Sequence, residues 1–162
     1  MRRIVLCCAV LMLAFAATGV GQETPAPASK HVIIKPADIK WGDPPPVFEK
    51  GATFAVLSGD PAAAGPFVVR MKMPAGYKIN PHWHPTDEHV TLISGTCAVG
   101  MGEKFDTTTM TTLSAGGYVL LPADMRHYVM TKTATIVQIN AMGPFQLTYV
   151  NQQDDPSTRG VK

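Results

Sequence analysis

Cysteine is scarce in this chain: there are three in 162 residues, and two of them, Cys7 and Cys8, fall in an N-terminal stretch with the character of an export signal. Only Cys97 remains once that stretch is removed, so an oxidising compartment can impose no internal disulfide. A small buried apolar role suits Cys97 better than a reactive thiol or a soft metal ligand. Excess charge is missing as well. Fourteen Lys and Arg stand against twelve Asp and Glu, and losing Arg2 and Arg3 with the signal takes the net charge from +2 to zero. That balance leaves no electrostatic case for a nucleic-acid partner. The leading apolar run, residues 4–17, is shorter than the ~20 residues a membrane span requires. The chain carries no H-E-x-x-H helix motif, no G-x-S-x-G elbow and no Gly-rich phosphate loop ahead of a helix. These gaps remove the usual zinc-protease, serine-hydrolase and nucleotide-binding signatures. Internal repeats and coiled-coil periodicity are also absent.

What is present begins with an address. Arg2 and Arg3, the apolar run, and the small residues Thr18, Gly19 and Gly21 form the three regions of a secretory signal. Residues 1–21 are expected to be a signal peptide, giving a secreted or periplasmic protein with no stable membrane anchor after cleavage. Residues 22–30 are Pro/Ala-rich and suit a flexible spacer. Residues 31–162 are then a single domain, large enough to bury a core without disulfide or metal staples.

Within that domain the pattern is one of short β-segments. The run His31-Val32-Ile33-Ile34-Lys35 is a first strand candidate, and the Pro-rich residues 43–46 form a surface connection that cannot be a central strand. Further strands are expected over 53–57, 66–73, 89–93, 96–101, 118–121, 127–130, 135–141 and 145–150, separated by turns of Gly, Pro, Asp, Ser and Ala. Residues 103–113 are ambiguous, since the Thr-rich run 107–112 favours extended structure by β-branching while a short helical turn after Asp106 could make the connection; they are expected to be a solvated loop with no assigned role. The six methionines Met71, Met73, Met101, Met125, Met130 and Met142 are expected to pack a plastic core, with a Met-lined pocket as the alternative. An all-β sandwich or barrel follows.

The chemistry concentrates between Gly76 and Gly95. His82 and His84 are two apart on an extended segment, so both imidazoles can face one ion while Trp83 points away. The turn at Pro85-Thr86-Asp87 can return Glu88 toward that ion, and His127 is a fourth candidate ligand. Three imidazoles and one carboxylate suit Fe, Mn, Zn, Ni or Cu, with coordination positions left open for water or substrate. His89 alternates away from the pocket, and His31 stands outside the pattern. Arg126 either reaches a substrate carboxylate or forms a structural ion pair. Gln138 and Asn140 fit either a pocket wall or a solvent face.

The spacing G-x5-H-x-H-x3-E-x6-G through Gly76, His82, His84, Glu88 and Gly95 resembles the first motif of the cupin superfamily without a departure. Gly116, Pro122, Asp124, His127 and Thr131 resemble the second, with Asp124 where glycine is usual and Thr131 where asparagine is usual. Asp tolerates the turn that glycine serves, and Thr131 is expected to contribute little. The resemblance spans about residues 67–145 and implies a double-stranded β-helix, or jelly-roll barrel. It also implies one divalent transition metal held by His82, His84, Glu88 and His127, with Glu88 binding directly or buttressing the ligands. The implied function is that of a metal-binding protein acting on a small molecule, as an oxygenase or isomerase whose substrate chelates the metal. A non-catalytic module that binds or senses a small molecule or metal is the alternative, and a barrel with an inactive site is a third. Cupin-like barrels commonly pair, so a homodimer is expected.

Overall fold

The computed structural model describes residues 31–159. The expected signal peptide, the spacer and residues 160–162 lie outside the described residues. Ten strands follow in order: β1 Thr53–Ser58, β2 Gly65–Met73, β3 Lys78–Trp83, β4 Glu88–Ser94, β5 Thr96–Met101, β6 Thr111–Ser114, β7 Tyr118–Leu121, β8 His127–Thr131, β9 Thr135–Gly143 and β10 Thr148–Tyr149. They form two five-stranded sheets, ordered β1-β2-β9-β4-β7 and β10-β3-β8-β5-β6, with antiparallel pairing throughout.

Alternation decides what lies between the sheets. Phe67, Val69, Met71 and Met73 of β2 are buried, as are their register partners Val137, Ile139 and Ala141 on β9. Arg70 and Gln138 occupy the opposite face, where Arg70 Nε donates to Gln138 Oε1 at 3.1 Å. Cys97 and Val99 of β5 close the core from the second sheet. Burial pushes the Cys97 thiol pKa up, as expected for a side chain serving as a small hydrophobe.

Several expectations are corrected here. Residues 31–35 form no strand: Val32 and Ile33 are 61% and 82% exposed, and the segment runs into a 3-10 turn at Pro36–Asp38. β-Branching favours an extended chain there but supplies no partner. The strand expected over 145–150 shrinks to Thr148–Tyr149. The expected loop 103–113 contains the edge strand β6 and is held down over its first part. Tyr128 Oη donates to Asp106 O at 3.1 Å and the Phe105 ring lies 4.9 Å from the Tyr128 ring. Among the methionines, Met71 and Met73 are core and line the interior cavity, whereas Met101, Met125 and Met142 are exposed.

Candidate metal centre

β3 does not alternate regularly, and that irregularity builds the site. The register shifts between Ile79 and His82, so both side chains reach the interior although they are three residues apart. Pro81, which has no N–H to give a ladder, lies within this bulge. His127 opens β8 directly opposite His82, making the two histidines a cross-strand pair with ring centroids 4.1 Å apart. His84 follows the end of β3, and its backbone carbonyl accepts from Asp124 N at 2.8 Å. Asp124 has φ of 62°, the left-handed conformation that glycine usually supplies at this place in the motif. Glu88 opens β4 in the other sheet, paired with Leu121 and Ala141. The intervening turn is tied on both sides, by Ala123 N donating to Asp87 Oδ1 at 2.8 Å and by Thr86 Oγ1 donating to Met142 O at 2.9 Å.

One ligand atom from each of His82, His84 and His127 lies within 4.8 Å of the others, and all three residues are buried. Glu88 Oε2 comes within 3.6 Å of His84 Nε2 and 3.5 Å of His127 Nε2, so the carboxylate meets two of the three imidazoles. Every Nδ1 faces a backbone carbonyl: Asn80 O at 2.7 Å for His82, Gln146 O at 2.7 Å for His84 and Met125 O at 3.0 Å for His127. A carbonyl only accepts, so each Nδ1 carries its ring's proton and each neutral Nε2 keeps a lone pair. His84 Nε2 is buried and has no hydrogen-bond partner. Three buried lone pairs aimed at one point suit a cation, and the orphaned His84 Nε2 is otherwise a costly group to leave unsatisfied.

Burial sets the charge states in the metal-free protein. Desolvation lowers the His82 pKa well below its usual value, with His127 and His84 adding to the effect. It lowers His84 to about 4 and also depresses His127. The same desolvation raises Glu88 to about 8. Neutral imidazoles are the form that binds metal, and a cation in the cavity would draw Glu88 back toward its carboxylate form.

The other singled-out residues lie elsewhere. His89 faces outward, its Nδ1 2.7 Å from Tyr118 Oη. Arg126 takes the structural role: it donates to Asp124 O, lies 4.0 Å from Glu103 and stacks 5.2 Å over Trp83. Gln138 and Asn140 lie on the outward face of β9, while Val137 and Ile139 line the cavity. His31 is exposed and is not among the clustered histidines. Trp83 points away from the histidines, as alternation requires.

Sequence reasoning missed the groups that orient the rings. Asn80, Met125 and Gln146 act through backbone carbonyls, which have no residue-type signature. Phe145 stacks on His84 with centroids 4.2 Å apart and planes at 17°, a contact across 61 positions of chain that the motif spacing does not encode. Thr131 was also undervalued. It is 1% exposed, accepts from Tyr77 N at 2.8 Å and donates to Pro74 O at 2.6 Å, fastening the turn that launches β3.

Two facing antiparallel sheets with a buried histidine cluster between them define a cupin. The chain belongs to the ChrR Cupin-like domain family, whose model matches residues 29–146. Comparison with curated proteins finds no matching sequence. Among solved structures, the chain is similar to the polyketide cyclase RemF from Streptomyces resistomycificus at 15% identity and a TM-score of 0.64, covering 79% of this chain and 91% of that one. An acetylacetone dioxygenase from Acinetobacter johnsonii is similar at 19% identity and a TM-score of 0.62, with 83% and 86% covered. An RmlC-like cupin from Shewanella frigidimarina NCIMB 400 gives 16% identity and a TM-score of 0.56, with 70% and 91% covered. At these identities the likeness is one of fold.

Proposed function

We propose that this protein binds one divalent transition metal through His82, His84 and His127, with Glu88 beside them, and uses it to transform a small molecule that chelates the metal. The observation that carries this is the set of three backbone carbonyls that fix every Nδ1 as a donor and so turn three buried Nε2 lone pairs into the cavity. Bound there, a metal would act as a Lewis acid toward a chelating substrate or admit oxygen to it. The protein's own contribution is orientation, exclusion of water by an apolar wall, and a carboxyl group at Glu88 that can hold or release a proton beside the substrate. An oxygenase or isomerase activity is the reaction class proposed, and the oxygenase reading is supported by the likeness in fold to a protein described as an acetylacetone dioxygenase. Export to the periplasm or exterior is proposed from the signal-like N-terminus.

Metal content of the purified protein is the first test, with about one ion per chain expected. His84→Ala should lower metal affinity by at least ~10-fold, because even partners behind the ligands are typically worth 10- to 100-fold. Circular dichroism should remain that of the folded barrel, since a chain of this size buries its core without metal. An unchanged metal stoichiometry in a variant lacking all three histidines would sink the assignment. Oxygen uptake and product analysis with β-diketone and catechol substrates then separate the enzyme from a binding module, which would bind metal and ligand without turnover.

A further inference from the structure

Residues 43–49, DPPPVFE, cross the wall of the interior cavity as a strap. The strap leaves from Gly42, whose N and O both bond to Phe54 at 2.9 Å, and it re-enters the core at the buried Ala52. Pro44, Pro45 and Pro46 supply no N–H and hold φ nearly fixed, so the strap is stiff and cannot serve as a central strand. Its one internal bond runs from Phe48 N to Pro45 O at 3.0 Å.

The inner side of the strap is apolar. Pro45, Val47 and Phe48 line the same cavity as His82, His84, Glu88 and His127. Two tyrosines hold the strap in place: Tyr149 Oη donates to Val47 O at 2.8 Å and Tyr77 Oη donates to Glu49 O at 2.6 Å. Burial, reinforced by the Glu49 charge, raises the Tyr77 hydroxyl to about 12, which keeps it a donor. The Glu49 carboxylate is paired with Arg159. Among the described residues, then, this stretch of wall is fastened by side chains rather than by a ladder.

The geometry points to the strap as the movable, size-setting wall of the ligand cavity, with Phe48 limiting the length of the ligand's apolar body and Tyr77 and Tyr149 latching the strap shut. This assignment rests on the cavity being the ligand site proposed above. The cavity volume of about 140 Å³ indicates what it takes. An apolar protein cavity of ~150 Å³ accepts benzene, so the body of the ligand is neutral, apolar and near that size, with its polar end toward the histidines. Opening requires the loss of two hydrogen bonds, the exposed Glu49–Arg159 pair and the packing of Phe48 on the core, but no strand pairing, which suits admission and release.

The test is binding of benzene, ethylbenzene and butylbenzene to the purified, metal-bearing protein, followed by ligand-detected NMR and calorimetry. The wild type should bind the two smaller probes and discriminate against butylbenzene. Phe48→Ala should improve butylbenzene relative to benzene by at least ~10-fold, the scale at which a pocket senses added methylenes. Phe48→Val serves the same purpose if the alanine variant folds poorly. Leu113→Ala enlarges the cavity from a different wall and should leave that ratio within about threefold. The double variant Tyr77→Phe, Tyr149→Phe should raise association and dissociation rates together by about fivefold or more while Kd changes little. An unchanged probe ranking in both Phe48 variants, an equal shift in Leu113→Ala, or unaltered exchange rates in the tyrosine variant would overturn the strap's role. Failure of the wild type to bind any probe would overturn it too, while full metal loading in the same sample would leave the metal assignment standing.

Discussion

Glu88 is a carboxyl group held away from water. Its carboxyl is buried and its pKa is raised to about 8 from an ordinary 4.5, so in metal-free protein the folded state holds a proton that the unfolded chain has released. Folding stability from this group is complete below about pH 4.5 and is lost as the pH rises through 8. Glu88→Gln removes that dependence. In chelator, the thermal stability of Glu88→Gln relative to wild type should therefore increase between pH 4.5 and pH 8, by on the order of a few kcal/mol at the upper end. Melting curves across that range decide it, and a difference that stays flat with pH would mean Glu88 is not held protonated. The histidines act in the opposite sense. With pKa values depressed by burial, they contribute stability that is intact above about 6.5 and is lost as the pH falls, through about 4 for His84. Thr131 is the residue least legible in the sequence, because its worth lies in two bonds to a distant turn. Thr131→Val keeps the shape but strands Tyr77 N–H, and urea unfolding should show a loss of about 1–3 kcal/mol.

At the scale of elements, positions whose spacing is local were legible and those fixed by distant contacts were not. His82, His84 and Glu88 could be picked out because one strand and a turn set their spacing, whereas His127, on β8, was legible through its place in the resemblance to the second cupin motif. Of the strands expected from alternation, those from β1 to β9 that were named all form, with ends shifted by a residue or two. The His31–Lys35 run failed because propensity cannot provide a neighbour, and β6 was hidden in a Thr-rich stretch whose only strand partner is β5. Asp124 was read correctly as a stand-in for glycine, and its φ of 62° makes the point testable. Asp124→Gly should stay within about 0.5 kcal/mol of wild type, whereas Asp124→Val should cost about 1–2 kcal/mol. Gly100 marks a different constraint. It pairs with Tyr128, and a Cβ there would come within 2.2 Å of the tyrosine ring. Gly100→Ala should lower the melting temperature and free the Phe105–Asp106 loop that Tyr128 anchors, an effect of about 1–3 kcal/mol by the usual cost of overpacking.

For the whole molecule, the outward face of the first sheet presents Ile93, Tyr118, Leu120 and Met142, each 40–54% exposed. A second copy of the chain is the occupant proposed for that face, in keeping with the expectation of a homodimer. Light scattering at micromolar concentration should give twice the chain mass, and Leu120→Lys should shift it toward monomer. A monomer in the unaltered protein would remove the proposal.

The strand order β1-β2-β9-β4-β7 also governs how the chain can be made. β9 is the ninth strand to leave the ribosome, yet it sits third in its sheet, and it alone joins the β1–β2 pair to the β4–β7 pair. Until Gly143 has been synthesised the first sheet exists only as two separate ribbons, each with an unpaired edge and an unburied apolar face. Assembly is consequently deferred to the last part of synthesis, and a chain stopped before Thr135 should remain protease-sensitive and without cooperative melting. Such a nascent chain lacks its closed first sheet for most of its synthesis, which is in keeping with the export proposed above, because a narrow translocation pore admits a chain that has not yet closed its core.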